Sequence, residues 1–146
     1  LARSNSQKLN IKLPLVVSDG IDLPFRQGEA SRVIVDAPCS GLGVLRRRAD
    51  ARWRIKEEDI DVLADLQLKL LCSAFTMVKP GGLLIYSVCT LTNSETIRVD
   101  EKFRNLVNVE GVDDLPHPWR EHGRGGMILP QDLDSEGMSV FCYRVP

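Results

Sequence analysis

The spacing of apolar residues along the chain predicts strands that alternate with helices. Residues 33–35 form a continuous apolar run, which is typical of a strand buried on both faces, as in a parallel sheet. A second apolar run at 83–88 predicts the next strand. Between them, apolar side chains recur at helical spacing over residues 60–78, with Gln67 as the one polar interruption. This order predicts a doubly wound α/β sheet.

Shorter runs and turn residues predict the remaining elements. These are the last turns of a helix at 1–9 ended by Asn10, a short buried strand at 15–17, a helix from Asn93 or Ser94 to about Val107, a loop at 115–126, and closing strands at 127–129 and 138–145 joined by an acidic turn. Asparagine favours the left-handed conformation that ends helices, and both Asn and Ser cap helix amino termini. Together the elements predict a single domain over residues 1–146.

The composition is that of an ordinary globular protein, with 43% hydrophobic and 27% charged residues among 146. The net charge of −1 provides no overall basic field, so any contact with nucleic acid must come from a local patch. No apolar run approaches the ~20 residues that a membrane helix needs, and no signal peptide opens the chain, so no membrane association is predicted.

The chain contains four cysteines, which are Cys39, Cys72, Cys89 and Cys142. None forms a C-x-x-C pair, and the two histidines have no cysteine pair with which to complete a zinc site, so no metal is predicted. Free thiols in a reducing cytosol are therefore expected, with a cytoplasmic location. Cys72 and Cys142 are interpreted as small core residues on a helix and a strand.

The other two cysteines follow predicted strand ends. Pro38 cannot donate to a sheet ladder and pushes Ala37 into an extended conformation, so the first strand should end at Asp36, just before Cys39. Cys89 ends the next apolar run. If the two strands are parallel neighbours about 4.8 Å apart, both thiols open into one crevice, where open α/β sheets bind their ligands.

Two thiols and a carboxylate in one crevice suit a particular reaction. An aromatic ring carbon that is not nucleophilic can be activated when a thiolate adds to the adjacent position. A second group must then remove a proton so that the thiolate can leave.

Two further sets of polar residues have more than one interpretation. Asp19 and Asp36 both follow predicted strands, where they either satisfy turn amides or contact a cofactor and a substrate ring nitrogen. Five arginines and Trp53 lie within residues 46–54. Such a run is either a solvated face or, directly after an active-site loop, a group that holds phosphates in position.

Three segments resemble motifs of the RNA 5-methylcytosine methyltransferases of the Sun (ribosomal RNA) type. DAPCSGLGVLRR at 36–47, followed by DARW at 50–53, resembles motif IV, and this long signature is highly specific. KPGG at 79–82 through YSVC at 86–89 resembles the strand and motif VI that follow it. LVVSD at 15–19 resembles motif III. The resemblance runs from about Lys8 to the final strand and implies a Rossmann-like, S-adenosylmethionine-dependent methyltransferase fold.

The resemblance also implies roles for individual residues. Cys89 would be the nucleophile that adds to carbon 6 of a cytosine, and carbon 5 would then take a methyl group from S-adenosylmethionine. Cys39 would assist proton removal and release of the enzyme. Asp36 would hold the base or lie against the cofactor, and Asp19 would contact the adenosine moiety. The target base must be flipped out to enter such a pocket.

The partner implied by this resemblance is RNA, with ribosomal RNA preferred to transfer RNA. Arg46, Arg47 and Trp53 are the residues expected to bind it.

Two departures from the family pattern matter. Val88 stands where the family usually has Thr, and the family's glycine-rich cofactor loop and ribose-binding acid lie upstream, with two strands that separate those ending at Asp19 and Asp36. We therefore expect residues 1–146 to be the carboxyl-terminal part of a catalytic domain, incomplete at its amino-terminal side and inactive alone. The oligomeric state is open, although an exposed sheet edge favours self-association.

Three other hypotheses remain. In DNA cytosine methyltransferases the cysteine of the Pro-Cys motif is the nucleophile, which here would be Cys39 rather than Cys89. The chain is alternatively a non-catalytic RNA-binding remnant that keeps the scaffold and the arginines. A thiol-redox protein is the third, although nothing in the sequence pairs the cysteines.

Overall fold

The computed structural model describes residues 2–112 and 115–146. Its helices are α1 (Ala2–Lys8), α2 (Ala51–Arg54), α3 (Glu57–Met77) and α4 (Ile97–Leu106), with one 3-10 turn at Leu42–Val44. Its strands are β1 (Ala30–Asp36), β2 (Val78–Val88), β3 (Glu110–Gly111), β4 (Arg120–His122), β5 (Gly125–Ile128) and β6 (Met138–Arg144). None of the helices in these ranges is long and apolar enough to cross a bilayer.

One mixed sheet runs in the order β1-β2-β6-β5-β4, and the short β3 pairs with β6. The parallel pairing of β1 with β2, predicted from the two apolar runs, is confirmed, and its register places Asp36 opposite Ser87. The other pairs are antiparallel. The predicted α/β class is therefore confirmed, with a single parallel pair at one end of the sheet.

The core lies between the sheet and the helices α3 and α4. Alternate residues of β2 point into it, so that Leu84, Tyr86 and Val88 are fully buried. Phe103 of α4 meets the ring of Tyr143 edge-on, with 4.9 Å between the ring centroids. The residues of β2 that alternate with these, at 83, 85 and 87, are half-buried. Both faces of β2 are therefore at least partly covered, which explains its near-continuous apolar sequence.

The apolar sequence of β1 predicts a strand that is buried on both faces, and this prediction is wrong. Strand β1 is an edge strand, and Ile34 on its outer face is 67% exposed. The predicted strand at 15–17 is also wrong, because this segment pairs with no strand of the described residues and leaves Val17 fully exposed. A strand needs a neighbour to satisfy its backbone groups, and the segment has none here.

The predicted loop at 115–126 instead contains β4 and the start of β5, joined by a turn at Gly123 with a positive φ of 61°. The glycines of this segment predict a loop by composition, but in the structure they allow close packing of strands. A Cβ on Gly125 would lie 2.4 Å from the carbonyl oxygen of Val140. Glycine therefore allows β5 to pack closely against β6.

The helix termini agree with the sequence in one case and shift in the other. Asn10 has a φ of 52° and ends α1 in the left-handed conformation predicted for it, while Leu1 lies outside the described residues. Helix α4 begins at Ile97, after a turn in which the Arg98 amide donates to the Asn93 carbonyl at 3.0 Å. The N-cap is Thr96, so the predicted cap at Asn93 or Ser94 is two to three residues early.

Candidate active site

The carboxyl ends of β1 and β2 bring the two cysteine loops together. The Ala37 amide donates to the Ser87 carbonyl at 3.1 Å, which extends the parallel pairing by one residue before Pro38 ends it. Cys39 and Cys89 follow directly, on neighbouring loops at the same edge of the sheet. The predicted juxtaposition of the two thiols with Asp36 is therefore present in the structure.

The Cys39 thiol is a poor acid in this environment. Burial raises its pKa, while hydrogen bonds from the backbone of Gly41 and of Cys89 oppose this by stabilising the thiolate. The negative charges of Glu95 and Cys89 raise the pKa further. Contact with the backbone of Cys89 shows that the two loops meet at the Cys39 sulfur.

The Cys89 thiol also has a raised pKa, first because it is partly buried and then because two carboxylates lie near it. These belong to Asp36, as the sequence predicts, and to Glu136, which precedes β6. A thiol acts as a nucleophile only as its thiolate. The reactivity of Cys89 should therefore depend on the negative charge around it.

The backbone of the Cys89 loop is also held by a junction of two glycines, Gly43 and Gly137, whose backbones are in close contact. The Gly43 amide donates to the Cys89 carbonyl at 3.0 Å, and the Gly137 amide donates to the Gly43 carbonyl at 2.8 Å. A Cβ on Gly43 would lie 2.2 Å from the Gly137 carbonyl oxygen. Only glycine allows these backbones to approach so closely.

Glu95 is a site residue that the sequence reasoning missed. It is fully buried, and its side chain receives hydrogen bonds from the loops of both cysteines. Its position six residues after Cys89, in a stretch interpreted only as a helix start, gave no signal of this contact. Glu136 was also missed, because it was interpreted as part of an acidic turn.

Two residues of the arginine cluster form ion pairs with that acidic turn. Arg46 forms an ion pair with Asp134, and Arg47 Nε lies 2.9 Å from Glu136 Oε1. Both arginine side chains remain more than half exposed. Trp53, on α2, is 84% exposed. The arginines therefore border the Cys89 site and still present charge to solvent.

Asp19 lies on an exposed loop, where its Oδ1 accepts a hydrogen bond of 2.9 Å from the Ile21 amide. This is the turn role that strand-end aspartates commonly have. Its neighbour Gly20 and the site residue Asp36 both line a groove of about 840 Å³ along the outer side of β1. The groove therefore connects the Asp19 loop with Asp36 at the cysteine site.

The groove is lined mainly by apolar side chains of β1, α3 and the loop 20–30. Asp36 and Pro38 lie at the end nearest the cysteines. The groove lies beside the edge strand β1, whose outer side pairs with no described strand. Strand β1 and helix α3 form one wall of the groove. The described residues therefore fit part of a small-molecule site at the carboxyl end of the sheet.

Replacing Glu136 with glutamine should make Cys89 more reactive. The change removes a negative charge beside the sulfur, so the pKa of Cys89 should fall and its thiolate fraction at pH 8 should rise. We expect iodoacetamide to alkylate Cys89 about two to five times faster, as measured by peptide mass spectrometry. Glu121→Gln, an exposed change on β4, is the matched control. An unchanged rate in Glu136→Gln would show that this carboxylate does not influence the thiol.

Comparison with known proteins identifies the family of this chain. Residues 2–140 match the family model of the 16S rRNA methyltransferase RsmB/F. Ribosomal RNA small subunit methyltransferase B of Vibrio vulnificus (strain YJ016) is 34% identical over 143 residues, which cover 97% of this chain and 32% of that protein. The probable ribosomal RNA small subunit methyltransferase B of Bacillus subtilis (strain 168) is 42% identical over 129 residues, covering 82% of this chain and 28% of that protein.

Solved structures share the fold. The crystal structure of PH0851 superposes with a TM-score of 0.91 at 26% identity, covering 97% of this chain and 33% of that one. NSun6 from Pyrococcus horikoshii, solved with SFG, gives a TM-score of 0.81 at 23% identity over 97% of this chain and 37% of that one. This chain thus spans about a third of the length of its relatives. With its motifs, its paired cysteine loops and a match over nearly its whole length, the chain belongs to the 16S rRNA methyltransferase RsmB/F family.

Proposed function

We propose that this chain supplies the two-cysteine site of an enzyme that methylates carbon 5 of a cytosine in ribosomal RNA. The observation that carries the proposal is the meeting of the Cys39 and Cys89 loops at the carboxyl ends of β1 and β2, beside Asp36. Family membership supports ribosomal RNA methylation as the reaction class.

The proposed chemistry uses both thiols in turn. Cys89 Sγ, as the thiolate, forms a bond to carbon 6 of the cytosine, and the displaced electron pair makes carbon 5 nucleophilic. S-adenosylmethionine, the cofactor that the family match indicates, would supply the methyl group for carbon 5 and leave as S-adenosylhomocysteine. Cys39 Sγ, as the thiolate, then takes the proton from carbon 5. The electron pair of that C–H bond restores the ring double bond as the bond between carbon 6 and Cys89 breaks, and Cys89 leaves as the thiolate.

The surroundings of the two sulfurs support this division of roles. Cys39 packs against the hydrophobic core and receives backbone hydrogen bonds, so its sulfur is held in place. Cys89 is outside that core cluster and lies among the carboxylates of Asp36 and Glu136. A carboxylate oxygen readily accepts a hydrogen bond from the exocyclic amine of cytosine. Asp36 is therefore proposed to hold the base, or to border the cofactor in the groove that it lines.

We also propose that the chain is the carboxyl-terminal part of a longer enzyme. Within residues 2–112 and 115–146 no strand pairs with the outer edge of β1, Ile34 on β1 is exposed, and the apolar segment 15–17 is exposed beside the groove loop. An open edge with apolar side chains is a site at which further strands can pair. Such strands would complete the groove, and with it a cofactor site to which Asp19 and Asp36 contribute.

The proposed substrate-binding surface is formed by Arg46, Arg47 and Trp53. Their exposed side chains lie on the segment that directly follows the Cys39 loop. Arginines can hold phosphates, and an exposed indole can stack on an unpaired base. The acidic partners of the two arginines would then be exchanged for phosphate when RNA binds.

A reconstitution experiment tests the proposal. The 146-residue chain and a version extended with its upstream sequence are each titrated with S-adenosylhomocysteine by calorimetry and assayed for 5-methylcytosine in 16S ribosomal RNA by mass spectrometry. We expect binding and methylation only with the extended protein. Tight binding by the short chain alone would overturn the fragment proposal. RNA binding without turnover in the extended protein would instead indicate a non-catalytic remnant.

A further inference from the structure

The side chain of Glu95 is the centre of a buried hydrogen-bond network between the two cysteine loops. Its carboxylate accepts five hydrogen bonds, from Ser40 N (2.7 Å), Ser40 Oγ (2.6 Å), Gln67 Nε2 (3.1 Å), Thr90 Oγ1 (2.8 Å) and Thr92 Oγ1 (2.8 Å). Every partner can donate; Oε1 accepts two of the bonds and Oε2 accepts three, so the four lone pairs of the carboxylate are all engaged and one is shared. Glu95 is fully buried, so these bonds replace its contact with water.

These bonds connect parts of the chain that are far apart in sequence. Ser40, which follows Cys39, is 55 positions from Glu95, whereas Thr90 follows Cys89. The bond from Thr92, three residues away, is local, but it joins a hydroxyl to the carboxylate and caps no backbone amide. The N-cap of α4 is Thr96, which has no side-chain cap hydrogen bond, so the contacts of Glu95 with Ser40 are not part of a helix cap.

The scaffold holds Glu95 itself in place. The Tyr86 hydroxyl lies 2.7 Å from the Glu95 carbonyl oxygen and 2.9 Å from Gln67 Oε1, and it can donate to either. Gln67 also donates to the Pro38 carbonyl at 2.9 Å. The polar interruption of the α3 stripe is therefore explained, because Gln67 links the helix to both Glu95 and the Cys39 loop. The carboxylate is anchored to rigid elements on both sides.

We propose that Glu95 is a positioning residue for the two-cysteine reaction, holding the Cys39 loop against the Cys89 loop through Ser40 and Thr90. This inference rests on the proposed function, because a fixed arrangement of the thiols matters only if both act on one base. Catalytic groups that act in sequence on one ring must be held within a fraction of an ångström of their productive geometry. The Glu95 carboxylate is fully buried and bonded to neighbouring residues, so it acts through them rather than on the base.

The charge of Glu95 provides a separate signature. The ionisable groups that face Cys39 are Glu95, Cys89 and the hydroxyl of Tyr86. Removing the Glu95 charge should therefore lower the pH at which Cys39 becomes a thiolate, even if the geometry is kept. Glutamine is suited to this test, since its amide oxygen can take the place of Oε1 while two of the three hydroxyls rotate to accept from its two N–H groups.

The experiment measures alkylation of each cysteine in the 146-residue chain against pH, by peptide mass spectrometry. In Glu95→Ala the limiting rate at high pH should rise about tenfold for both Cys39 and Cys89, because the two loops are released from each other. In Glu95→Gln it should stay within about twofold, while the midpoint for Cys39 alone falls by about 0.5 to 1 pH unit. Glu101→Gln, an exposed change on α4, is the matched control and should change neither quantity.

Other outcomes would overturn the proposal. If Glu95→Ala is folded by circular dichroism and its limiting rates equal those of the unchanged protein, Glu95 does not position the loops. If that variant does not fold, Ser40→Ala and Thr90→Val each remove one hydroxyl link and should show smaller increases in the same direction, and no increase would refute the proposal. Because alkylation needs neither RNA nor cofactor, its result is independent of whether the proposed methylation is correct.

Discussion

In the upstream-extended protein, Cys89→Ser should abolish the covalent RNA adduct and lower cytosine methylation by roughly 10³-fold or more. Serine keeps the size of the side chain but is a far weaker nucleophile, since its hydroxyl does not ionise near neutral pH. The adduct is measured as a slow-migrating, protease-sensitive RNA band on a denaturing gel. Methylation is measured by mass spectrometry of the digested RNA.

Cys39→Ser should have a different effect from Cys89→Ser. The bond to carbon 6 still forms, but proton removal from carbon 5 is impaired, so the adduct should accumulate while turnover falls. Cys72→Ser, a half-buried thiol on α3 away from the strand ends, is the control and should retain turnover. If Cys39→Ser loses the adduct and Cys89→Ser retains it, the roles are reversed, as in the DNA cytosine methyltransferases.

Gly43→Ala should destabilise the protein by about 3 kcal/mol, because the new methyl group would overlap a packed backbone. The obstructing atoms are the carbonyl oxygen of Gly137, at 2.2 Å, and the carbonyl carbon of Cys89, at 3.0 Å. Neither can move as the end of a flexible side chain would. The melting temperature, followed by circular dichroism, should fall by roughly 10 °C.

The same substitution at Gly28 is the matched comparison. Gly28 has a φ of +69°, but a Cβ added there would have no neighbouring atom within 4 Å, so alanine meets only backbone strain. Gly28→Ala should therefore cost about 1 kcal/mol. Gly43 has no positive φ, so Gly43→Ala meets the overlap and not this backbone strain. A loss in Gly43→Ala no larger than that in Gly28→Ala would show that the junction of Gly43 with Gly137 tolerates a methyl group. Methylation activity that remains in the upstream-extended Gly43→Ala protein would show how strongly a displaced Cys89 loop affects the reaction.

The local part of the site was predictable from sequence because it follows from short-range rules. Pro38 ends β1 after Asp36, and the apolar run of β2 ends at Val88, which places Cys39 and Cys89 on turns. The motif at 36–47 added the family, and the comparisons confirm it. The extent of the long helix α3 and the parallel pairing of the two strands were likewise predictable from apolar periodicity.

The same short-range rules failed where a neighbour decides the structure. An apolar segment such as 15–17 becomes a strand only when another strand pairs with it, and no described strand does. The glycines of β5 indicate a loop by composition, yet they allow β5 to lie closely against β6. Both errors come from reading a property of two elements from the sequence of one.

The family motif, the strand ends and the placement of Cys39 and Cys89 on the following turns could all be predicted from the sequence, since each depends on residues that are adjacent or a few positions apart. The side chains that surround the two thiols could be identified only from the folded structure. Glu95 reaches Ser40 across 55 positions, and Arg46 reaches Asp134 across 88. Helical and strand periodicities carry no information about such distances. The contacts exist because the sheet order brings β6 and the start of α4 to the carboxyl ends of β1 and β2.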